Sequence, residues 1–198
     1  LTSHLVTVVP SGTVLDILRH RTNQMVRDDL PYLGVAAWTT NSSSPSTLLT
    51  SIRRAVSGPD RKELVALPES QHEVETIASD LPKPNTVLLG SRATETNFKS
   101  LPLSHYKVVH LALHGYVDPV FSDRSALIFA PEPGLTDDSL LQVREIRKLH
   151  FNANLVTLSA CNTSVGQIGE EGAANIVNAF IEAGSQSVVS TFWELEDH

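Results

Sequence analysis

Two stretches decide the fold: Val108-Val109-His110-Leu111-Ala112-Leu113-His114-Gly115 and Leu155-Val156-Thr157-Leu158-Ser159-Ala160-Cys161-Asn162-Thr163. Each is a short apolar run that stops at a side chain able to do chemistry, an imidazole in one and a thiol in the other, 47 positions apart (114 to 161). Runs of this kind, rich in Val and Leu, read as strands buried on both faces of a parallel sheet. If the two are parallel neighbours, their carboxyl ends lie side by side, and open α/β sheets place ligands in the crevice outside those ends. His114 and Cys161 are then expected to face each other across one cleft, the layout of a cysteine protease.

The flanking sequence supplies the crossovers. Leu33-Gly34-Val35-Ala36-Ala37-Trp38 reads as a buried strand, and the segment from Pro68 as a helix whose Val74, Ile77, Ala78 and Leu81 follow a three-to-four spacing until Pro82 and Pro84 end it. A strand at Asn85–Leu89 and a helix around Thr94–Lys99 lead to the His114 run. Strand, helix, strand, helix, strand is most economically a parallel sheet. Between the two reactive runs, Ala126–Phe129 reads as a short strand and Pro131-Glu132-Pro133-Gly134 as its turn. Asp137-Asp138 then opens an expected helix through Leu140, Val143, Ile146 and Leu149, with Arg147 and Lys148 at its negative end. After the cysteine, a helix over Glu171–Ala183 capped by Gly184 and a strand over Ser187–Phe192 are expected. Ahead of all this, 1–30 reads as an N-terminal hairpin and helix extension, with a strand at His4–Val9 and mostly helical propensity from Val14 to Asp29. Residues 39–66 read as a partly exposed loop insertion holding a short helix near Thr47–Val56.

Composition narrows the class. The chain has 198 residues, 41% hydrophobic and 6% aromatic, enough for one substantial core. Its 15 Lys+Arg against 22 Asp+Glu give a net charge of −7, with no basic stripe, which argues against direct nucleic-acid binding. No apolar run is long enough to span or anchor in a membrane. Cys161 is the only cysteine, so no internal disulfide forms, and a working thiol suits a reducing cytoplasm.

A thiol of ordinary pKa near 8.5 is only a few per cent ionised at neutrality, so a nucleophilic cysteine needs a neighbouring base. His114 fits that role, and can later protonate the leaving amine. The backbone N–H groups of Gly115 and Cys161 are candidate oxyanion donors, with Ser159 and Asn162 orienting the loop. His110 lies roughly 13 Å back along its strand and reads as a supporting hydrogen-bonding residue. A zinc site from His110, His114 and Cys161 lacks the usual spacing and a second thiol, so no metal is expected. The glycines at 166, 169 and 172 do not follow the dinucleotide fingerprint, so no cofactor is expected either.

The spacing is similar to the caspase pattern, with a His about 50 residues before the Cys. The local words resemble something narrower, the CHAT domain: His110-x-x-x-His114-Gly115, Ser159-Ala160-Cys161-Asn162-Thr163, Gly169-Glu170-Glu171-Gly172, Ala179-Phe180-Ile181-Glu182-Ala183-Gly184 and Val188-Val189-Ser190-Thr191-Phe192-Trp193 occur in that family's order. The resemblance implies a single caspase-like domain over 1–198, a three-layer α/β/α sandwich with a mainly parallel central sheet. Because such domains normally continue past the equivalent of His198, the sheet is expected to be truncated at the C-terminus. The implied activity is hydrolysis of peptide bonds in a peptide or protein substrate through a Cys161–His114 dyad, regulated by attached TPR or other sensor domains. The implied substrate pocket draws on Asp118, Glu170, Glu171, Trp193, Glu194, Glu196 and Asp197, whose carboxylates favour a basic P1 side chain or are simply solvated surface. The alternative is a non-catalytic CHAT-like interaction or scaffold domain with a closed pocket.

Overall fold

The structure is a computed structural model. It describes residues 13, 16, 20, 30–36, 67–118, 120–132, 137–159 and 169–190, with the backbone alone for 68 and 169–174. The strands are β1 (Leu30–Ala36), β2 (Asn85–Leu88), β3 (Tyr106–Ala112), β4 (His114–Tyr116), β5 (Ala126–Ile128), β6 (Leu140–Gln142), β7 (Leu155–Leu158) and β8 (Val188–Ser190). The helices are α1 (Pro68–Asp80), α2 (Glu95–Ser100), α3 (Val143–Ile146) and α4 (Gly169–Glu182).

The central sheet runs β2-β1-β3-β7-β8, and every neighbouring pair is parallel. The fold is therefore α/β with a mainly parallel sheet, as expected. The two decisive runs are direct neighbours, with Val108 opposite Leu155 and Leu111 opposite Leu158.

Strand alternation divides the cover between two faces. Leu33, Val35, Val109 and Leu111 join the larger core with Phe98, Phe129, Ile176 and Phe180. Ala36 and Ala112 pack instead with Val74 of α1. Gly34 lies on that second face, and a Cβ there would sit 2.5 Å from Val74 Cγ1. Only a glycine lets α1 approach β1 so closely.

Local chemistry sets the helix ends. Proline starts α1, where its missing N–H costs no helical hydrogen bond. Thr94 Oγ1 accepts the Asn97 N–H at 3.2 Å to start α2. The chain leaves α4 through Gly184 at φ +113°, a conformation glycine adopts without strain, where a Cβ would also collide with the Phe151 carbonyl oxygen.

Two expectations need correction. The first apolar run is not one strand. It breaks at Leu113, and His114 begins β4, part of a separate antiparallel sheet β4-β5-β6 inserted between β3 and β7. Leu113 is itself buried, so burial continues through the break and hides it from the hydrophobic pattern. The second concerns Asp137–Leu149, expected as one helix. Leu140–Gln142 is instead strand β6, followed by the short α3. Leu140, Leu141 and Gln142 are consecutive and all buried, which a strand inside a covered sheet permits and an amphipathic helix does not. Helix formation waits for the capping box of Gln142 and Glu145, whose Oε2 accepts the Gln142 N–H at 3.0 Å. Arg147 does not answer a long helix's dipole; its guanidinium joins Glu182 of α4, at 2.8 Å, to Asp123.

The strand opening at Leu33 begins earlier, at Leu30. Trp38, the 1–12 hairpin and the 39–66 insertion with its Thr47–Val56 helix lie outside the described residues. Of 14–29, only Asp16 and His20 are described, and both are helical. Among the described residues, no helix is long and apolar enough to cross a membrane.

Candidate active site

The carboxyl ends of the parallel neighbours β3 and β7 lie side by side. After β3, Leu113 links directly to His114, which is 5% exposed and pairs across β4–β5 with Ile128. Gly115 follows it opposite Leu127, also buried. On the neighbouring strand, β7 ends at Leu158, and the Ser159 N–H donates to the Leu111 carbonyl of β3 at 3.0 Å. Ser159 stands two positions before Cys161 in the sequence. Cys161 itself lies outside the described residues, as do Trp193, Glu194, Glu196 and Asp197; Glu170 and Glu171 fall in the first turn of α4, where only the backbone is described.

Asp118 has a definite local job. Its Oδ1 accepts the N–H groups of Val120 at 2.9 Å and Phe121 at 2.7 Å, while its own N–H donates to Ser125 Oγ at 3.1 Å. It therefore closes the turn that follows β4.

Beneath the strand ends lies a polar chain that links β1, β3, the residue that follows β7 and α1. Tyr32 Oη on β1 is 3.0 Å from His110 Nδ1 on β3. His110 Nε2 is 2.9 Å from Ser159 Oγ and 3.3 Å from Glu73 Oε1, and Ser159 Oγ donates to that same carboxylate oxygen at 2.9 Å. His110 is 2% exposed and Tyr32 is fully buried, whereas Glu73 on α1 is 44% exposed. The hydrogen bond from His110 holds the Glu73 carboxyl below the usual range, against the opposing effect of partial burial, and the Ser159 hydroxyl adds to it. Burial, reinforced by the Glu73 charge, pushes the Tyr32 phenol well above its ordinary value. His110 is thus the supporting hydrogen-bonding residue its strand position predicted.

A second polar cluster joins α2 to the connections of the small sheet. Lys99 Nζ lies 2.6 Å from Glu95 Oε1, 3.1 Å from Asp137 Oδ1 and 3.0 Å from Glu145 Oε1. Glu95 is 1% exposed, and its Oε2 has no hydrogen-bond partner among the described residues. Burial pushes its carboxyl up to about 7 in spite of Lys99. These carboxylates stand close enough together to hold a cation, and the Lys99 ammonium fills that role.

Sequence reasoning missed Tyr32 and Glu73. Each is far from its partner along the chain, 78 positions from Tyr32 to His110 and 86 from Glu73 to Ser159, so no local spacing marks them. The even offset between Tyr32, Gly34 and Ala36 was the one available hint, since it places the phenol on the α1 face of β1.

No curated protein matches the chain. The family model described as the CHAT domain matches residues 1–198, in keeping with the α/β architecture, the His114-Gly115 pair that opens β4 just beyond β3 and the Ser159-Ala160-Cys161 sequence that follows β7. The chain belongs to the caspase-like CHAT domain family.

Proposed function

We propose that this chain is a cysteine endopeptidase in which Cys161 is the nucleophile and His114 the general base and acid. The observation that carries the reading is the adjacency of β3 and β7, which leads His114 and the segment entering Cys161 away from neighbouring strand ends. Membership of a caspase-like family supports it.

In this reading His114 takes the Cys161 proton. The thiolate bonds to the scissile carbonyl carbon, and the displaced electron pair moves onto the carbonyl oxygen. Backbone N–H groups of Gly115 and Cys161 receive that oxyanion, each worth about 3 kcal/mol of barrier. Collapse breaks the C–N bond, His114 delivers its proton to the departing amine, and a thioester remains. Water then gives a proton to His114 as it attacks the thioester carbon. The C–S bond breaks, the acid product leaves, and the thiol is restored.

Asp118, Glu170, Glu171, Glu194 and Asp197 supply the carboxylates for a basic P1 side chain, with Trp193 as an apolar wall. Repeat or sensor domains regulate access to the site, and the reaction proceeds in the cytoplasm, where the lone thiol stays reduced.

The test is cleavage of a diverse peptide library by the protein, by Cys161→Ala and by His114→Ala. Cleavage lost in both variants establishes the dyad and reports the P1 residue. Cleavage that survives in Cys161→Ala sinks the reading, and no cleavage by folded protein in the presence of its regulators points to an interaction domain instead.

A further inference from the structure

We propose that the chain Tyr32–His110–Ser159–Glu73 is a positioning device for the segment that carries Cys161. The inference rests on the reading of Cys161 as nucleophile and assigns new roles to residues that never touch substrate.

Hydrogen-bond bookkeeping gives the chain one direction. An ionised Glu73 only accepts, so the Ser159 hydroxyl must spend its proton on Oε1. Ser159 Oγ is then an acceptor for the His110 ring at 2.9 Å, so Nε2 carries a proton, which it shares between Ser159 Oγ and the Glu73 Oε1 at 3.3 Å. With the ring neutral, Nδ1 is an acceptor, and the Tyr32 phenol at 3.0 Å donates to it. Every proton has a partner, and every donor points towards Glu73.

Packing alone does not call for this arrangement. Tyr32 and His110 occupy a face of the sheet where Ala36, Ala112 and Val74 show that apolar contacts suffice. Buried polar groups are costly unless fully paired, and when paired they fix one geometry. Here the geometry fixed is that of Ser159. Its backbone N–H is held by Leu111 of β3 and its hydroxyl by His110 and Glu73, so both its main chain and its side chain are pinned two positions before Cys161. With Ser159 pinned, the direction in which the chain leaves β7 is set by β1, β3 and α1 together.

Because Cys161 is the only cysteine, the rate of alkylation by iodoacetamide against pH reads that thiol alone and needs no peptide substrate. The comparison set is the unaltered protein, His114→Ala, Ser159→Ala, Glu73→Ala and Glu73→Gln, with thermal midpoints measured alongside. Glu73 is half exposed, so its variants fold even if a core change does not. Ser159→Ala and Glu73→Ala should move the thiol titration upward towards the free value of about 8.5 and slow alkylation at pH 6.5 about tenfold. Glu73→Gln keeps an acceptor for the Ser159 hydroxyl and should restore the rate to within about threefold. A purely structural role would lower the thermal midpoint and leave the titration in place. If His114→Ala shifts the titration while Ser159→Ala and Glu73→Ala do not, the positioning device is refuted and the dyad stands. If even His114→Ala leaves it unmoved, the dyad itself falls, and the inference with it.

Discussion

The two buried polar clusters solve the same problem in opposite ways. In the chain from Tyr32 to Glu73, hydrogen bonds link a phenol, an imidazole and a hydroxyl to a single carboxylate at the half-exposed end. In the cluster around Lys99, one ammonium is shared by Glu95, Asp137 and Glu145, so ionised carboxylates outnumber the cation. The first places its charge where water can reach it. The second buries Glu95 to 1% exposure and holds its carboxyl up to about 7. The contrast teaches that burial of a polar group is tolerated in proportion to its partners: the chain assigns every proton, while the cage leaves Glu95 Oε2 without a hydrogen bond among the described residues.

The sharpest way to break the contrast is to remove the shared cation. Lys99→Ala leaves three clustered carboxylates without their counter-charge, and unfolding in urea should show a loss of about 4 kcal/mol at pH 8. The loss should shrink in mild acid, where Glu95 takes up a proton. A loss that stays the same at pH 5.5 and pH 8 would show that Glu95 does not titrate within the cage.

The clusters should also respond to pH with opposite signs. A carboxyl whose folded value lies above its unfolded one binds more protons in the native state, so its contribution is fully present below 4.5 and is lost as pH rises through about 7. For Glu95 this amounts to no more than about 3 kcal/mol across that window. Glu95→Gln, which mimics the protonated form, should flatten the slope. Glu73 behaves in reverse: its folded value lies below 4.5, so its contribution is present above that pH and is lost as pH falls through the folded value. Thermal midpoints from pH 3 to 8 for the unaltered protein, Glu95→Gln and Glu73→Gln separate the two slopes, and a Glu95→Gln curve parallel to the parent would exclude the cage as their source.

A third change strikes the chain through packing. In Gly34→Ala the new methyl meets Val74 Cγ1 at 2.5 Å, and α1 must retreat from β1. Overpacking of this kind costs about 2 kcal/mol. Because Glu73 neighbours Val74 on α1, and the methyl also comes within 2.8 Å of the Tyr32 ring and hydroxyl, the change should also slow Cys161 alkylation.

How much of this was legible in the sequence follows from the range of the interactions. Strands β1, β2, β3 and β7 and helices α1, α2 and α4 each carry their own signal, whether an apolar run, a three-to-four spacing, or a proline or glycine at an end. The relation between β3 and β7 followed from the crossover rule. The split at Leu113 was hidden because an apolar, fully buried residue can end one strand as easily as continue it. Strand β6 reads as helix in the sequence because Leu140, Val143, Ile146 and Leu149 keep a helical interval, while Leu141, also buried, does not fit it. Of the site, the supporting role of His110 was readable from its place on β3. The polar partners were not, since Tyr32 and Glu73 meet His110 and Ser159 only after the sheet and α1 have assembled. In the cage, Glu95 and Lys99 are one helical turn apart, but nothing local joins them to Asp137 or Glu145.

The smallest effect is the most discriminating. Tyr32→Phe removes one hydroxyl and leaves His110 Nδ1 a buried acceptor without a donor, at a cost of about 1 kcal/mol. If the chain is directional, the ring proton can then move to Nδ1 only by abandoning Ser159, so Tyr32→Phe and Ser159→Ala should not add. A double-mutant cycle should return a coupling of about 0.5–1 kcal/mol for that pair, although tyrosine and serine do not touch. The cycle of Tyr32→Phe with Glu95→Gln, which share no partner, should return a coupling within about 0.3 kcal/mol of zero. Additivity in the first cycle would reduce the chain to separate hydrogen bonds around one histidine. Coupling in the first and not in the second would mean that the contrast between the clusters is one of wiring as well as of charge: a chain in which each proton depends on the next, against a cage in which one cation serves its carboxylates in parallel.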